Sequence, residues 1–370
     1  MSFANIYNGK RVLLTGHTGF KGAWLAEWLL HLGAEVTGYS LPSPTEPALF
    51  HQLGLGMRLN HIIGDVRDLP TFRAVVNRVK PDIVFHLAAQ PLVRLSYSQP
   101  VETYSINVMG TVNVLEAVRL AGRPCVVVVV TTDKCYENRE WVHSFREEDP
   151  MGGYDPYSSS KGAAELVVSA YRRSYFTSSN PRVHLASVRA GNVIGGGDWA
   201  FDRIVPDCIR SLTARSAIPV RNKIATRPWQ HVLEPLSGYL WLGAVLLNPV
   251  LIPGRCHDEY SSAFNFGPLN QSNRTVEELV LEILKHWPGS WCDQSDPKAV
   301  HEATLLNLST DKAFHLLKWK PVWNFEQTVA STVFWYNQVK SDLGAAAALS
   351  LAQIMEYESS ARANGVSWVL

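Results

Sequence analysis

The chain has little of what would brace or anchor it from outside. Only 5 cysteines occur in 370 residues (Cys125, Cys135, Cys208, Cys256 and Cys292). They are widely spaced, odd in number and never arranged as CxxC, which argues against a zinc knuckle or a disulfide framework. No charge of one sign dominates: 34 Lys and Arg stand against 33 Asp and Glu, a formal net charge of +1. Such a chain carries no electrostatic footprint for nucleic acid or an anionic membrane. The one long apolar run, LSGYLWLGAVLLNPVLIPG, is broken by Pro249 and Pro253. It reads as a buried helix and its exit, not as a membrane span. The opening residues MSFANIYNGKRVLLTG lack the apolar core of a secretory signal and reach a strand at once, so a cytoplasmic protein is expected. No internal repeat or low-complexity segment interrupts the chain.

What is present is alternation. Short apolar runs (RVLLTG, EVTGYS, HIIGD, DIVFHLAA, VVVVV, VHLASVRAG) are separated by amphipathic stretches, among them FKGAWLAEWLLHLG, LPTFRAVVNRVK, a helix over 101–121 and another over 160–174. Fully apolar strands between amphipathic helices mean a parallel sheet covered on both faces. The fold class expected is therefore α/β, a doubly wound parallel sheet of the Rossmann type. After Gly191 the rhythm weakens and Gly, Pro and Trp become frequent, which points to a smaller, loop-rich C-terminal lobe. The boundaries read as 1–190 for the first unit, with a segment around 228–250 returning to it, and 191–370 mainly for the second.

Two motifs carry chemistry. TGHTGFKG sets Gly16, Gly19 and Gly22 at a strand-to-helix turn. Gly16 permits the tight turn, Gly19 lets backbone amides approach a pyrophosphate, and Gly22 lets helix pack on strand, with the helix N-terminus facing the anion. The acidic residue that ordinarily follows about 20 residues later, to hold a ribose 2′-hydroxyl, is missing; Tyr39 and Ser40 stand there. No arginine for a 2′-phosphate is nearby either, which favours NAD. Asp65, in GDVRD, either accepts from an adenine amino group or caps the helix that follows. His17 either touches a phosphate or is a solvated loop histidine.

The second motif, DPYSSSKG, places Tyr157 and Lys161 four apart, on one helix face. A neighbouring ammonium favours phenolate, so the phenol can act as a base below its usual value of about 10. Because the C-terminal tips of parallel strands share one crevice, Gly16, Asp65, Ala88, Thr132 and the start of the Tyr157 helix are expected to face one cleft.

Together, TGHTGFKG, HLAAQ, TTDKCY and YSSSK resemble the extended short-chain dehydrogenase/reductase family, in its nucleotide-sugar branch, and the resemblance covers nearly the whole chain. It implies NAD as cofactor, a nucleotide-diphosphate hexose as substrate, and a route to deoxysugars of the O-antigen, lipopolysaccharide kind. It implies that Tyr157 takes a proton from a sugar hydroxyl, with Lys161 beside it. YSLPSPTEPALF, AAQPLVRLSY, TTDKCYEN and VRAGNVIGGGDWAFDRIVPD are similar to the 4,6-dehydratases of that branch, and to those that take a CDP-hexose. There, Thr132 would be the family's Ser/Thr, Asp133 the acid that protonates the departing C6 hydroxyl, and Lys134 either the base for C5 or a cation that stabilises the enolate. Asp133 must hold a proton for this, which requires withdrawal from water. The competing reading of Asp133 and Lys134 is a plain salt bridge at a strand end.

By the same resemblance the cofactor lies against Gly16, His17, Thr18, Gly19, Phe20, Lys21 and Gly22. Asp65 and Val66, then Leu87, Ala88 and Ala89, and Asn107, the family's helix-kinking asparagine, complete that contact. The substrate is expected at Gln90, Asn192, Arg203 and Arg227, the last as a bidentate partner of the diphosphate. Arg189 is either a ligand or a core ion pair, and Trp199 is the best stacking residue. No metal is expected. The helices over 101–121 and 160–174 would form a homodimer interface, or one contact of a larger homo-oligomer. A nucleotide-sugar 4-epimerase is the alternative activity; it needs Thr132, Tyr157 and Lys161 but no acid–amine pair. A non-catalytic NAD-sensing protein would be expected to have lost Tyr157 or Lys161.

Overall fold

The central strand explains the rest of the architecture. Residues Cys125–Val130 (β5) are all buried, and they alternate between two cores. Val126, Val128 and Val130 face one apolar cluster and Cys125, Val127 and Val129 the other. A β-branched residue suits a pleated surface packed on both sides, and each buried valine is worth roughly 1.5–3 kcal/mol relative to exposure.

The computed structural model describes residues 2–177, 182–254, 257–295 and 305–369; Cys256 lies outside them. Around β5 run Arg11–Thr15 (β1), Glu35–Ser40 (β2), Asn60–Ile63 (β3), Ile83–His86 (β4), Val183–Ala190 (β6) and Ala263–Phe266 (β7). They form one sheet in the order β7-β6-β5-β4-β1-β2-β3, with every pairing parallel. The order reverses between β1 and β4, the switch point at which such sheets open a crevice.

One face is covered by Phe20–His31 (α1) and Leu233–Leu247 (α5), the other by Leu69–Val79 (α2), Gly110–Ala121 (α3) and Pro156–Ser174 (α4). α5 is the apolar run of the sequence and its first 14 residues are buried. No described helix is long and apolar enough to cross a membrane. The second lobe is built from short pairs: Ile218–Val220 with Trp291–Asp293, and Thr226–Pro228 with Asn273–Thr275. Phe325–Ser341 (α6) and Ala346–Ala363 (α7) return to the first unit, where Trp28 Nε1 donates to Glu358 at 2.8 Å and Phe3 stacks on Trp368 at 4.9 Å.

Several boundaries differ from expectation. The strand expected through Asp65 ends at Ile63, and the one expected through Ala89 ends at His86, leaving both tips in loops. The helix expected over 101–121 is three pieces, Pro100–Tyr104, a wider turn over Ser105–Met109, and α3. The chain returns to the sheet beyond 228–250 as well, since β7 supplies its seventh strand.

Candidate active site

The glycine turn shows at once which of its glycines the protein itself needs. Gly16 has φ +76°, and a Cβ there would lie 2.6 Å from the Ala88 nitrogen. A Cβ on Gly22 would lie 2.1 Å from the Gly16 oxygen. Both positions are closed to any side chain. Gly19 is different: its Cβ would meet only the Gly16 oxygen, at 3.5 Å, so the space beside it belongs to a cavity. Gly19 is also the N-cap of α1, and no side chain caps it. The positive end of the helix thus faces open space, which is the arrangement an anionic dinucleotide needs.

That cavity has a volume of about 860 Å³ and runs across the C-terminal strand tips into the second lobe. Gly16, Thr18, Gly19, Phe20, Lys21 and Gly22 line its floor. His17 does not, and it is no solvated loop residue: its ring is fully buried, packs against Gly38 and bonds His61 Nδ1 through Nε2 at 2.7 Å. Burial, with His61 adding to it, pulls its pKa down to about 3. Thr18 ties the turn to the end of β2, through Ser40 Oγ at 2.9 Å and the Leu41 carbonyl at 3.0 Å. Of the two residues where an acid was missing, Ser40 reaches the cavity. Tyr39 is buried in the core, its hydroxyl donating to the Asp65 carbonyl at 3.0 Å.

Asp65 and Val66 line the opposite wall. The Asp65 carboxylate is gripped by Arg67 through its backbone N–H and its guanidinium, and that bonding holds its pKa below the usual carboxylate range. It is not the cap of α2; Asp68 is, accepting from Thr71. Leu87, Ala88 and Ala89 also line the cavity, but Gln90 and Asn107 stand behind it. Asn107 accepts from the Gln90 N–H at 2.9 Å and donates to the Gln90 carbonyl at 3.1 Å and to Ser160 Oγ at 2.8 Å. The Gln90 amide donates to Thr103 and Leu92. Both residues therefore hold the 87–90 loop in place and do not face a ligand, because their polar atoms are already spent within the protein.

The second motif is set by α4. Asp155 caps that helix, accepting from the Ser158 N–H at 2.9 Å, and Pro156 opens it. Ser96, which the sequence reading passed over, accepts from the Tyr157 N–H at 3.1 Å. Tyr157 and Lys161 lie within the first two turns and both line the cavity. Burial pushes the Tyr157 phenol up to about 12. The cation acting on the phenol is Arg203, whereas Lys161 was expected in that role. The Lys161 ammonium donates to the Val130 carbonyl at 3.3 Å, and burial brings its pKa down to about 8.

The tip of β5 splits by side. Thr131 turns to Glu165, which also holds Arg189 in a buried ion pair at 2.9 Å; Arg189 is thus a core residue. Thr132 turns to the cavity and donates to Asp133 Oδ1 at 2.9 Å. Lys134 Nζ lies 3.4 Å from both Asp133 Oδ1 and Asn192 Oδ1. Asp133 is completely buried, and its Oδ2 has no hydrogen-bond partner among the described residues. The two groups are thus in contact, embedded beside Tyr157 and not at a solvated strand end; Lys134 lines the cavity, whereas Asp133, expected there, lies just behind its wall. Lys21 enters the same group: burial, then Arg203, lowers its ammonium to about 8, and it lies 5.8 Å from the ring of Tyr239 on α5.

The second lobe closes the cavity with Asn192, Arg203, Arg227 and Trp199. Arg203 is paired with Asp198 at 2.8 Å, and Trp199 donates to Gln52 at 2.9 Å. Among the described residues no cluster of three or more His, Cys, Asp or Glu is placed to hold a metal.

A family model described as GDP-mannose 4,6 dehydratase matches residues 13–241. The chain belongs to that family. It is 50% identical over 340 residues to the CDP-glucose 4,6-dehydratase of Salmonella typhimurium, covering 90% of this chain and 92% of that protein. The same fold is found in a crystal structure of dTDP-glucose 4,6-dehydratase from Bacillus anthracis in complex with NAD, at TM-score 0.73 and 22% identity, covering 90% of this chain and 97% of the other. It recurs in the dTDP-glucose 4,6-dehydratase of Streptomyces venezuelae with NAD bound, at TM-score 0.75 and 23% identity, covering 90% and 98%.

Proposed function

We propose that the chain is an NAD-dependent 4,6-dehydratase of a nucleotide-activated hexose, with CDP-glucose as substrate and the CDP-4-keto-6-deoxy sugar as product. The observation that carries this reading is the acid–amine pair Asp133–Lys134 beside Thr132, at the strand tip where Thr132, Lys134 and Tyr157 line one cavity. A 4-epimerase has no use for such a pair. The 50% identity to a CDP-glucose 4,6-dehydratase supports the choice of nucleotide.

Bound NAD would supply the hydride acceptor for C4 and the hydride donor for C6. The open space beside Gly19 and the uncapped end of α1 fit its pyrophosphate, and Ser40 with Thr18 would face its adenine ribose. Tyr157 takes the proton of the C4 hydroxyl. The resulting ketone acidifies C5, because the carbanion is delocalised as an enolate. Lys134, half-buried and facing the cavity, takes the C5 proton, and the other cations of the site, Lys21, Lys161 and Arg203, stabilise negative charge there. Asp133 lies just behind the wall formed by Thr132 and Lys134, and a shift of that strand tip would bring its carboxyl to the departing C6 hydroxyl, to which it gives a proton. Arg227 and Asn192 hold the substrate, Arg227 by the fork its guanidinium offers a diphosphate.

The protein would work in the cytoplasm, in the synthesis of deoxysugars of the lipopolysaccharide kind. Apolar side chains exposed on the helices around 101–121 and on α4 (Val101, Met109 and Leu166) support a homodimer. The test is to incubate purified protein and NAD with CDP-, dTDP-, UDP- and GDP-hexoses and follow 4-keto-6-deoxy product by its absorbance in alkali. Product from CDP-glucose alone is expected. A C4 epimer with no keto sugar would replace the dehydratase reading with the epimerase one.

A further inference from the structure

The acid that ordinarily holds the adenosine ribose of a dinucleotide is missing, and a pair of hydroxyls stands in its place. Ser40 ends β2 and lines the cavity beside Thr18 of the glycine turn. Both are buried, at 8% and 4% exposure. Thr18 Oγ1 lies 3.0 Å from the Leu41 carbonyl oxygen and 2.9 Å from Ser40 Oγ.

Chemistry fixes the order of donors in this small network. A carbonyl only accepts, and a hydroxyl has one proton and two lone pairs. Thr18 gives its proton to Leu41, so it receives the proton of Ser40. Ser40 then has no proton left for the cavity, and its Oγ offers a ligand lone pairs alone. A carboxylate presents the same face, accepting and never donating. The sense of the hydrogen bond is kept although the charge is gone.

The surroundings add no cation. From Ser40 to Leu49 and from Gly64 to Val66, the two segments that line this end of the cavity, no lysine or arginine occurs. The one formal charge they bring to the lining is the Asp65 carboxylate, and its partner Arg67 stands outside the cavity.

We propose that Ser40 selects the cofactor: its acceptor-only Oγ takes a hydrogen bond from the ribose 2′-hydroxyl of NAD and rejects the 2′-phosphate of NADP. The first ligand brings a donor to those lone pairs. The second brings anionic oxygens, which would meet lone pairs, a carboxylate and no cation. Thr18 is the positioning residue, because by consuming the Ser40 proton it sets the direction of that bond. The inference rests on the NAD-dependent reading above and adds to it the residue that reads the cofactor.

The test is calorimetric titration of the purified chain, cleared of carried-over nucleotide, with NAD and with NADP. The wild type should bind NAD at least about tenfold more tightly than NADP. In Ser40→Ala the acceptor is gone; NAD should weaken by about tenfold while NADP does not, so that the two affinities converge. Ser40→Asp keeps an acceptor and adds charge, and should hold or widen the preference. Thr18→Val leaves the Ser40 proton available to the cavity, so NADP should gain on NAD. A wild type that binds both nucleotides equally overturns the inference, as does a ratio that Ser40→Ala leaves unchanged. If Thr18→Val melts well below the wild type, the opposite shifts expected of Ser40→Ala and Ser40→Asp decide alone. Failure to form keto sugar from every nucleotide hexose would refute the dehydratase reading instead, and the ratio of the two binding constants is measured independently of it.

Discussion

Asp133 separates the dehydratase reading from its rival. The substitution Asp133→Asn keeps the shape and removes the acid. A dehydratase should then stall after C4 oxidation, with kcat lower by a factor of about 100 to 10,000 and reduced nicotinamide accumulating on the enzyme. An epimerase would tolerate the change, so the absorbance of the resting mixture distinguishes them. Tyr157 gives a second outcome with a sign. Burial raises its phenol to about 12. The rate of C4 oxidation should therefore climb with pH up to that value, since the phenolate is the base, and a rate that does not change with pH would mean that Tyr157 does not take the proton.

At the scale of the element, the turn between β1 and α1 gives a paired test. Gly16→Ala meets both a left-handed backbone and the Ala88 nitrogen at 2.6 Å, so it should unfold the turn and lower the melting temperature sharply. Gly19→Ala meets only an oxygen at 3.5 Å, at φ −82°, so the fold should melt as before while NAD binding, followed by calorimetry, weakens. Equal losses of stability would contradict the assignment of that space to a ligand. These glycines, the strand order implied by alternation, and the Tyr157–Lys161 face were legible because local spacing determines them. The start of α4 was also written locally, as an aspartate before a proline, four residues ahead of the span expected from 160. His17, Gln90 and Asn107 were not legible. Their neighbours (His61, Thr103, Ser160) are supplied by other elements, and no spacing within a motif reveals that a polar side chain is already bonded inside the protein. Arg189 was left open for the same reason, since its partner Glu165 lies on the helix that carries Tyr157.

Across the whole molecule, association and the docking of the C-terminal helices become the questions. Leu166→Asp, on the exposed face of α4, should shift sedimentation toward the monomer if that face is the dimer contact. The docking turns on Glu234, fully buried at the start of α5. Its carboxyl accepts from the Val322 and Trp323 N–H groups and from the Tyr357 hydroxyl at 2.7 Å, so a single side chain joins the first unit to the approaches of α6 and to α7. Burial raises its pKa from 4.5 to about 7. Below about pH 4.5 the group is neutral in both folded and unfolded chains. As pH rises from there to about 7, the unfolded chain releases the proton while the native one holds it, and native stability falls. The loss is on the order of 3 kcal/mol and is complete above about pH 7. Glu234→Gln has no proton to release. Its stability relative to the wild type should therefore climb between about pH 5 and 7 and stay level beyond, as read from urea unfolding at a series of pH values. Two curves that remain parallel across that window would show that Glu234 is ionised throughout, held by its three donors in spite of burial.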